Sequence, residues 1–268
     1  MLRPVSGERT ILSPRLFRTA GMTASLRSFL AAVQFLTIIP VRLPGRLSPS
    51  RLGKSLHFFP VVGAGIGILL ATAAGIFYLA PAAPAAALTV ILSVLVHGGL
   101  HLDGFADTCD GLAGGRDAAA ALAIMRDSRI GAMGAAAISG LLLLKWAVLV
   151  SLPVLLVGKA LFCMALFSRW AQVLACVGTR YPRAEGRAQA FIAAAGWPQA
   201  VAGGAAVILI FAAVLGHAGL AVFGLSVAAV LAVKYYIQRR IGGMTGDTIG
   251  AVNEIGEVSV LFFTLVAR

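Results

Sequence analysis

Acidic residues are scarce in this chain, and three of them fall in one short segment that could bind a metal ion. Only 10 of the 268 residues are Asp or Glu, yet Asp103, Asp107 and Asp110 follow one another closely. On a helix, the spacing i, i+4, i+7 places three carboxylates on one face. Such carboxylates repel one another unless a cation neutralises them. Because oxygen ligands suit Mg²⁺, the pattern predicts a Mg²⁺ site, with Mn²⁺ as the alternative. A solvated polar helix end would leave the clustering unexplained.

A second acidic segment lies near the end of the chain. Asp247 and Glu254 are seven residues apart, and Glu257 follows one helical turn later. Helical periodicity places Asp247 and Glu254 on one face. We expect these two residues to complete the site of the first segment, around one or two ions. Two neighbouring ions can hold both the attacking and the leaving oxygen of a phosphoryl transfer.

Two histidines precede the aspartates and project from another helical face. His97 and His101 are spaced i, i+4. They could form a second metal site, provide a general base or make hydrogen bonds between packed helices. The apolar surroundings favour an interior hydrogen-bonding or proton-handling role, and His101 is included among the candidate catalytic residues.

Several basic residues are candidates for binding an anionic ligand. Arg126 and Arg129 flank Asp127 in a predicted loop, and guanidinium groups match phosphate with two hydrogen bonds. Ordinary loop charge is the competing interpretation. Arg169 lies inside an apolar run, where it needs either a protein partner or an anionic ligand. Lys145 lies nearer the end of a predicted span, from which a lysine can extend to the membrane surface.

The composition predicts an all-α polytopic membrane protein. Hydrophobic residues make up 59% of the chain and charged residues 12%, and the mean hydropathy is +0.93. Several apolar runs approach the roughly 20 residues that cross a bilayer as a helix, whereas the alternating segments of a β-barrel are absent. The net charge of +12 fits loops that stay in the cytoplasm better than a nucleic-acid partner.

The apolar runs predict a bundle of about six to seven transmembrane helices in one catalytic domain at 22–268. A short interfacial or re-entrant helix at 28–41 precedes the first span. Residues 1–21 are expected to be a disordered extension, or to precede a true start at Met22. The predicted spans cover 58–80, 85–100, 131–152, 154–177, 199–215 and 218–236, with a final short apolar segment at 258–267.

The distribution of basic residues predicts the orientation. With the N-terminus in the cytoplasm, the polar loops at 42–54, 102–130, 179–198 and 237–257 all lie on the cytoplasmic side. The turns on the other side carry no Lys or Arg, as the positive-inside rule requires. Both acidic segments would then face the cytoplasm from a bacterial cytoplasmic (inner) membrane.

These motifs together resemble the cobalamin synthase family of adenosylcobinamide-GDP ribazoletransferases. The long aspartate segment is the most specific match, and the resemblance runs in order from about Leu26 onward. The matching stretches are 35–41, 59–63, 101–111, 125–131, 168–169, 246–247 and 253–254.

The resemblance implies a late step of cobalamin biosynthesis, the assembly of the nucleotide loop. α-Ribazole or its 5′-phosphate would be joined to adenosylcobinamide-GDP, with release of GMP and a requirement for Mg²⁺. The product would be adenosylcobalamin or its 5′-phosphate. The candidate catalytic residues are Asp103, Asp107, Glu254 and His101; the candidate phosphate-binding residues are Arg126, Arg129 and Arg169; the candidate metal ligands are Asp103, Asp107, Asp110, Asp247 and Glu254.

Two other functions compete with this interpretation. A CDP-alcohol phosphotransferase would also carry an aspartate-rich motif in a membrane bundle, but its Ala-Arg after the first aspartate pair is missing here. An ion-coupled transporter commonly has paired repeats and acids near the membrane midplane, whereas these acids are predicted at span ends. The sequence is compatible with a monomer or a homo-oligomer.

Overall fold

The computed structural model describes residues 23–43 and 48–267, and regular secondary structure in these ranges is entirely helical. The predicted N-terminal extension at 1–21 lies outside the described residues. A short 3₁₀ turn, Leu56–Phe58, joins the second and third helices. The α-helices are α1 (Ala24–Leu36), α2 (Pro49–Ser55), α3 (Phe59–Phe77), α4 (Ala82–Val96), α5 (Leu100–Gly114), α6 (Ala118–Ile124), α7 (Ala132–Ser151), α8 (Val154–Cys176), α9 (Arg187–Ala194), α10 (Trp197–Leu215), α11 (His217–Ile241) and α12 (Gly246–Val266).

The helix lengths confirm the predicted polytopic bundle. Among the described residues, six helical segments are long and apolar enough to cross a membrane: α3 with the preceding turn and α2, and α7, α8, α10, α11 and α12. The pair α4 and α5 would make a seventh, but its two helices meet at an angle of 89°. The shorter apolar helix α1 occupies the position predicted for an interfacial segment.

Helices α8 and α12 form the centre of the bundle. About 67% of the apolar window of each is buried, against 22–39% for the other single spans. Helix α3 approaches α8 closely because Gly63 and Gly67 face it. A Cβ atom on Gly63 would lie 2.5 Å from the carbonyl oxygen of Ala165. Small residues allow such close packing of membrane helices.

The prediction of a polar loop at 237–257 is wrong. Helix α11 continues to Ile241, and α12 begins at Gly246 and runs to Val266. Thr245 and Thr248 form a capping box that starts α12. Glu254 and Glu257 on α12 are buried and paired with residues of other helices, so the helix can enter the bundle despite these acidic side chains. The predicted final short segment at 258–267 is therefore the second half of a full span.

The aspartate segment directly follows the span predicted at 85–100 but does not continue it as one straight helix. Gly98 and Gly99 have φ values of 59° and 74°, a left-handed conformation that glycine adopts without steric cost. Helix α4 ends at Val96, and α5 leaves at 89° to it. The three aspartates all lie on α5, which packs against α12 and α7.

Candidate active site

A cavity of about 320 Å³ lies where α5 and α12 meet the segment 177–196. Its wall combines both signs of charge with aromatic side chains. The charged residues on the wall are Asp103, Asp247, Arg126, Arg183, Glu185 and Arg187. Acids and arginines on one cavity are suited to a ligand that carries phosphate together with a cation.

The close contact of α5 with α12 brings Asp103 and Asp247 to the same cavity. Gly104 makes this contact possible, because a Cβ atom there would lie 2.8 Å from the carbonyl oxygen of Asp247. Gly250 lies against His101 in a similar way. Any larger side chain at Gly104 would separate the two helices that supply the two carboxylates. The structure thus brings together one member of each acidic segment, as the sequence predicted.

Asp107 lies one turn beyond Asp103 and is half-buried. It lies within electrostatic reach of Asp103, Asp247 and Asp110, and also of the Arg183 guanidinium. Asp107 is not among the residues that line the cavity. The carboxylates of Asp103, Asp107 and Asp247 therefore concentrate negative charge at or beside the cavity, and this charge favours a bound cation.

Asp110 makes contacts that account for both of its carboxylate oxygens. The backbone N–H groups of Gly131 and Gly134 donate to Oδ2 and Oδ1, each at 2.7 Å. These groups belong to the start of α7, whose N-cap Gly131 has no capping side chain of its own. Asp110 thus caps α7 from a neighbouring helix. It does not line the cavity, and its predicted role as a metal ligand stays a prediction.

The capping contacts make a test of Asp110 specific. We expect Asp110→Asn to lower the free energy of unfolding by about 1–3 kcal/mol, because an amide cannot accept both N–H groups. Thermal unfolding of the purified protein in detergent measures this loss. The control is Asp117→Asn, since Asp117 is the N-cap of α6 and asparagine caps equally well. Unchanged stability with a lost metal requirement would instead assign Asp110 to the metal.

Glu254 and Arg169 lie in a buried ion-pair network and do not line the cavity. Lys145 Nζ donates to Glu254 Oε2 at 2.6 Å and to Glu257 Oε2 at 2.7 Å. Arg169 Nη1 donates to the other oxygen of Glu257. All four side chains are at most 3% exposed. Arg169 therefore has the protein partner that its depth required, whereas the expectation that Lys145 extends to the membrane surface is wrong.

A chain of amides joins this network to the cavity. Asn253 Nδ2 donates to Glu257 Oε1 at 3.1 Å, and Gln172 Nε2 donates to Asn253 Oδ1 at 2.9 Å. Gln172 Nε2 also lies 3.3 Å from His101 Nε2. Both Gln172 and His101 line the cavity. The buried His101 thus makes the interior hydrogen bond that the sequence favoured, at the border between the network and the cavity.

The network also resembles a metal site in its geometry. Among the described residues, only His97, Glu254 and Glu257 bring three potential ligand atoms within 4.8 Å of one another. Lys145 and Arg169 already neutralise both carboxylates, so a divalent cation there would face two buried positive charges. We therefore assign the network to helix packing. The aspartates beside the cavity are farther apart and have fewer cationic partners.

Of the three predicted phosphate-binding arginines, only Arg126 lines the cavity, whereas Arg129 and Arg169 do not. Arg126 lies on the cavity wall. Arg129 is exposed and pairs with Asp127 through Nε at 2.9 Å, and these hydrogen bonds lower the pKa of Asp127 to about 2. Arg183, whose Nη2 lies 2.8 Å from Asp247 Oδ2, was not among the residues predicted from the sequence. Its position in a basic segment opposite an acidic one was the signal that could have identified it.

The fold and the site together define a polytopic membrane protein with a cavity lined by both acidic residues and arginines. The sequence model of cobalamin-5-phosphate synthase matches residues 28–265, and the chain belongs to this family.

Several adenosylcobinamide-GDP ribazoletransferases are similar to this chain over nearly its whole length. An adenosylcobinamide-GDP ribazoletransferase of Geotalea daltonii is 40% identical over 90% of this chain and 98% of its own. Those of Chlorobaculum parvum (38%; 88% and 94%) and Pseudomonas fluorescens (39%; 87% and 97%) are similarly close. No solved structure matches. The predicted family and the transferase class are confirmed, which decides against a CDP-alcohol phosphotransferase and a transporter.

Proposed function

We propose that this protein is a Mg²⁺-dependent adenosylcobinamide-GDP ribazoletransferase that forms adenosylcobalamin or its 5′-phosphate. The observation that carries the proposal is the cavity on which Asp103 and Asp247 face three arginines. The relatives' names supply the substrate class. A diphosphate needs both cationic side chains and a metal ion to neutralise it, and the cavity offers groups for both.

The donor set fits a hard divalent cation. The carboxylates of Asp103 and Asp247, with Asp107 close to them, supply oxygen ligands only. Among the described residues, one cationic side chain contacts these carboxylates directly, that of Arg183 on Asp247. Mg²⁺ is commonly held by one or two carboxylates plus substrate phosphates. When bound, Mg²⁺ or Mn²⁺ would neutralise the diphosphate and the charge that develops as GMP leaves.

The arginines of this chain would hold the phosphates in position for the reaction. Arg126, Arg183 and Arg187 lie on the cavity wall, and guanidinium groups bind phosphate with two parallel hydrogen bonds. A ribose hydroxyl of α-ribazole attacks the phosphorus linked to cobinamide. The bond from that phosphorus to the bridging oxygen breaks, and GMP leaves with the electron pair. The hydroxyl proton passes to a carboxylate oxygen of Asp103, Asp107 or Asp247.

Glu254 and Arg169 are assigned a positioning role in place of metal and phosphate binding. Each makes its charged contact inside the network, which joins α7, α8 and α12. Because Asp247 is in the first turn of α12, the network would fix the helix that carries this carboxylate. Glu254 thus helps to hold Asp247 in position without lining the cavity itself.

The charge distribution supports a site that faces the cytoplasm of a bacterial inner membrane. Segments 115–131 and 177–196 lie at the end of the bundle where the cavity is found, and both are rich in arginine. The turns at 78–81, 152–153 and 216 lie between helices at the opposite end and contain no Lys or Arg. This difference is typical of cytoplasmic and external loops.

Product analysis tests the proposed function. The purified protein is incubated with adenosylcobinamide-GDP, Mg²⁺ and either α-ribazole or its 5′-phosphate. We expect GMP and the corrinoid product in equal amounts, with no turnover in excess chelator. Absence of GMP with both acceptors would contradict the proposal.

A further inference from the structure

Three phenylalanines from three different helices form one wall of the cavity. Phe35 lies on α1, Phe59 on α3 and Phe191 on α9. The ring centroids of Phe35 and Phe191 are 4.8 Å apart, those of Phe59 and Phe191 5.3 Å, and those of Phe35 and Phe59 5.9 Å. All three residues line the same cavity as Asp103 and Asp247. We call them the aromatic wall.

The aromatic wall offers a ligand apolar contact, mainly through the partly exposed Phe35, since Phe59 and Phe191 are at most 3% exposed. Its three side chains carry no polar atom, and the hydroxyl of the nearby lining residue Tyr181 already donates to the carbonyl oxygen of Glu185 at 3.1 Å. The same cavity also carries charged side chains, among them Arg183 and Asp247, which pair with each other. The cavity is therefore amphipathic, with a surface for a flat apolar group and a surface for phosphate.

We propose that the aromatic wall binds the benzimidazole base of α-ribazole, an inference that rests on the proposed function. Both substrates carry a flat heteroaromatic base, because adenosylcobinamide-GDP contains guanine. Guanine has several donors and acceptors on its edge, and burying them against phenylalanine would leave them without partners, at a cost of about 1–3 kcal/mol for each group. The benzimidazole edge is largely apolar. Stacking or edge-to-face contact with aromatic rings suits it better.

The size of the cavity admits a nucleoside but excludes the corrinoid. Cavities that enclose small ligands begin at about 300 Å³, and this one measures about 320 Å³. A nucleoside with its phosphate is of that class, whereas a corrin ring with its side chains is far larger. The corrinoid would therefore remain outside, and only its diphosphate would reach Asp103 and Asp247.

Equilibrium dialysis tests the wall independently of turnover. The dissociation constants of α-ribazole and of GMP are measured for the wild-type protein and for Phe191→Leu and Phe35→Leu, which remove one ring each but keep an apolar side chain. We expect each variant to bind α-ribazole about tenfold more weakly, the loss typical of one base–aromatic contact, with GMP binding unchanged. The control is Phe223→Leu, from a separate aromatic cluster with Phe167 and Trp170.

Each outcome decides the proposal. Weaker binding of GMP alone would place guanine on the wall and overturn the proposal. Unchanged binding of both ligands by folded variants, or no binding of α-ribazole by the wild type, would show that the three rings only pack the core. If the wild type binds α-ribazole and the variants lose it, yet no GMP is released in the product assay, the proposed function fails while the wall stands.

Discussion

Replacing Asp247 by Asn is expected to lower the rate of GMP release at least about a hundredfold. The substitution removes a negative charge from the cavity, where it would hold the metal ion, and preorganised groups of this kind are worth about that factor. It also removes the partner of Arg183, 2.8 Å away. The rate is measured at saturating substrates over a range of Mg²⁺ concentrations. Asp103 lies on α5 next to Gly104, which packs against Asp247. We therefore expect Asp103→Asn to lower the rate of GMP release by a comparable factor.

Asp117→Asn is the control for this prediction. Asp117 accepts the N–H of Ala120 at 2.8 Å as the N-cap of α6, and asparagine replaces it well in that role. We expect the control to keep the wild-type rate. A wild-type rate and an unchanged Mg²⁺ dependence in Asp247→Asn would show that the metal does not depend on this carboxylate.

Replacing Lys145 by Met is expected to destabilise the protein by about 3–5 kcal/mol, the usual effect of breaking a buried ion pair. The substitution leaves Glu254 and Glu257 with only Arg169 to neutralise them. The unfolding midpoint in mild detergent, together with the fraction of monodisperse protein, measures the loss. The control is Lys159→Met, since Lys159 is an exposed lysine on α8.

A second substitution distinguishes loss of charge balance from loss of packing. Combining Lys145→Met with Glu254→Gln leaves one buried cation and one buried anion, Arg169 and Glu257. We expect the double variant to recover most of the stability, because contacting residues in one network are not additive. Destabilisation equal to the sum of the two single variants would contradict the network as a coupled unit.

The local pattern predicted the helix that carries the aspartates but not its direction. The i, i+4, i+7 spacing of Asp103, Asp107 and Asp110 correctly indicated one helix, α5. The bend before it depends on the backbone conformation of Gly98 and Gly99, and a glycine pair is compatible with a continuing helix as well as with a break. Asp110 faces α7, and a partner on another helix is not visible in the spacing along α5.

The second acidic segment shows why a shared helical face does not imply a shared site. Asp247 and Glu254 lie seven residues apart on α12, which is about 10 Å along the helix axis. Asp247 therefore reaches the cavity while Glu254 meets Lys145 inside the bundle. The two partners are separated by 109 positions in the chain, so only the packing of α7 against α12 could reveal the pair.

The cavity wall was the least predictable part of the site. Gln172 lies within the predicted fourth span, and Phe35, Phe59 and Phe191 come from three separate segments, where each is equally typical of a packed core. Arg126 was predicted because it stands near the aspartates in sequence. Arg183 was not selected, because a basic loop beside a membrane is expected on charge grounds alone. Its contact with Asp247 is what separates it from the other loop arginines.

Iron-directed cleavage tests the central claim most directly, namely that the metal lies beside Asp103 and Asp247. Fe²⁺ replaces Mg²⁺ in the purified protein with adenosylcobinamide-GDP present, and ascorbate with peroxide then cuts the backbone close to the ion. We expect cuts at 103–107 in α5 and at 246–247 at the start of α12, and we expect excess Mg²⁺ to suppress them. Cuts confined to the region of Glu254 and Glu257, or cleavage insensitive to Mg²⁺, would contradict it.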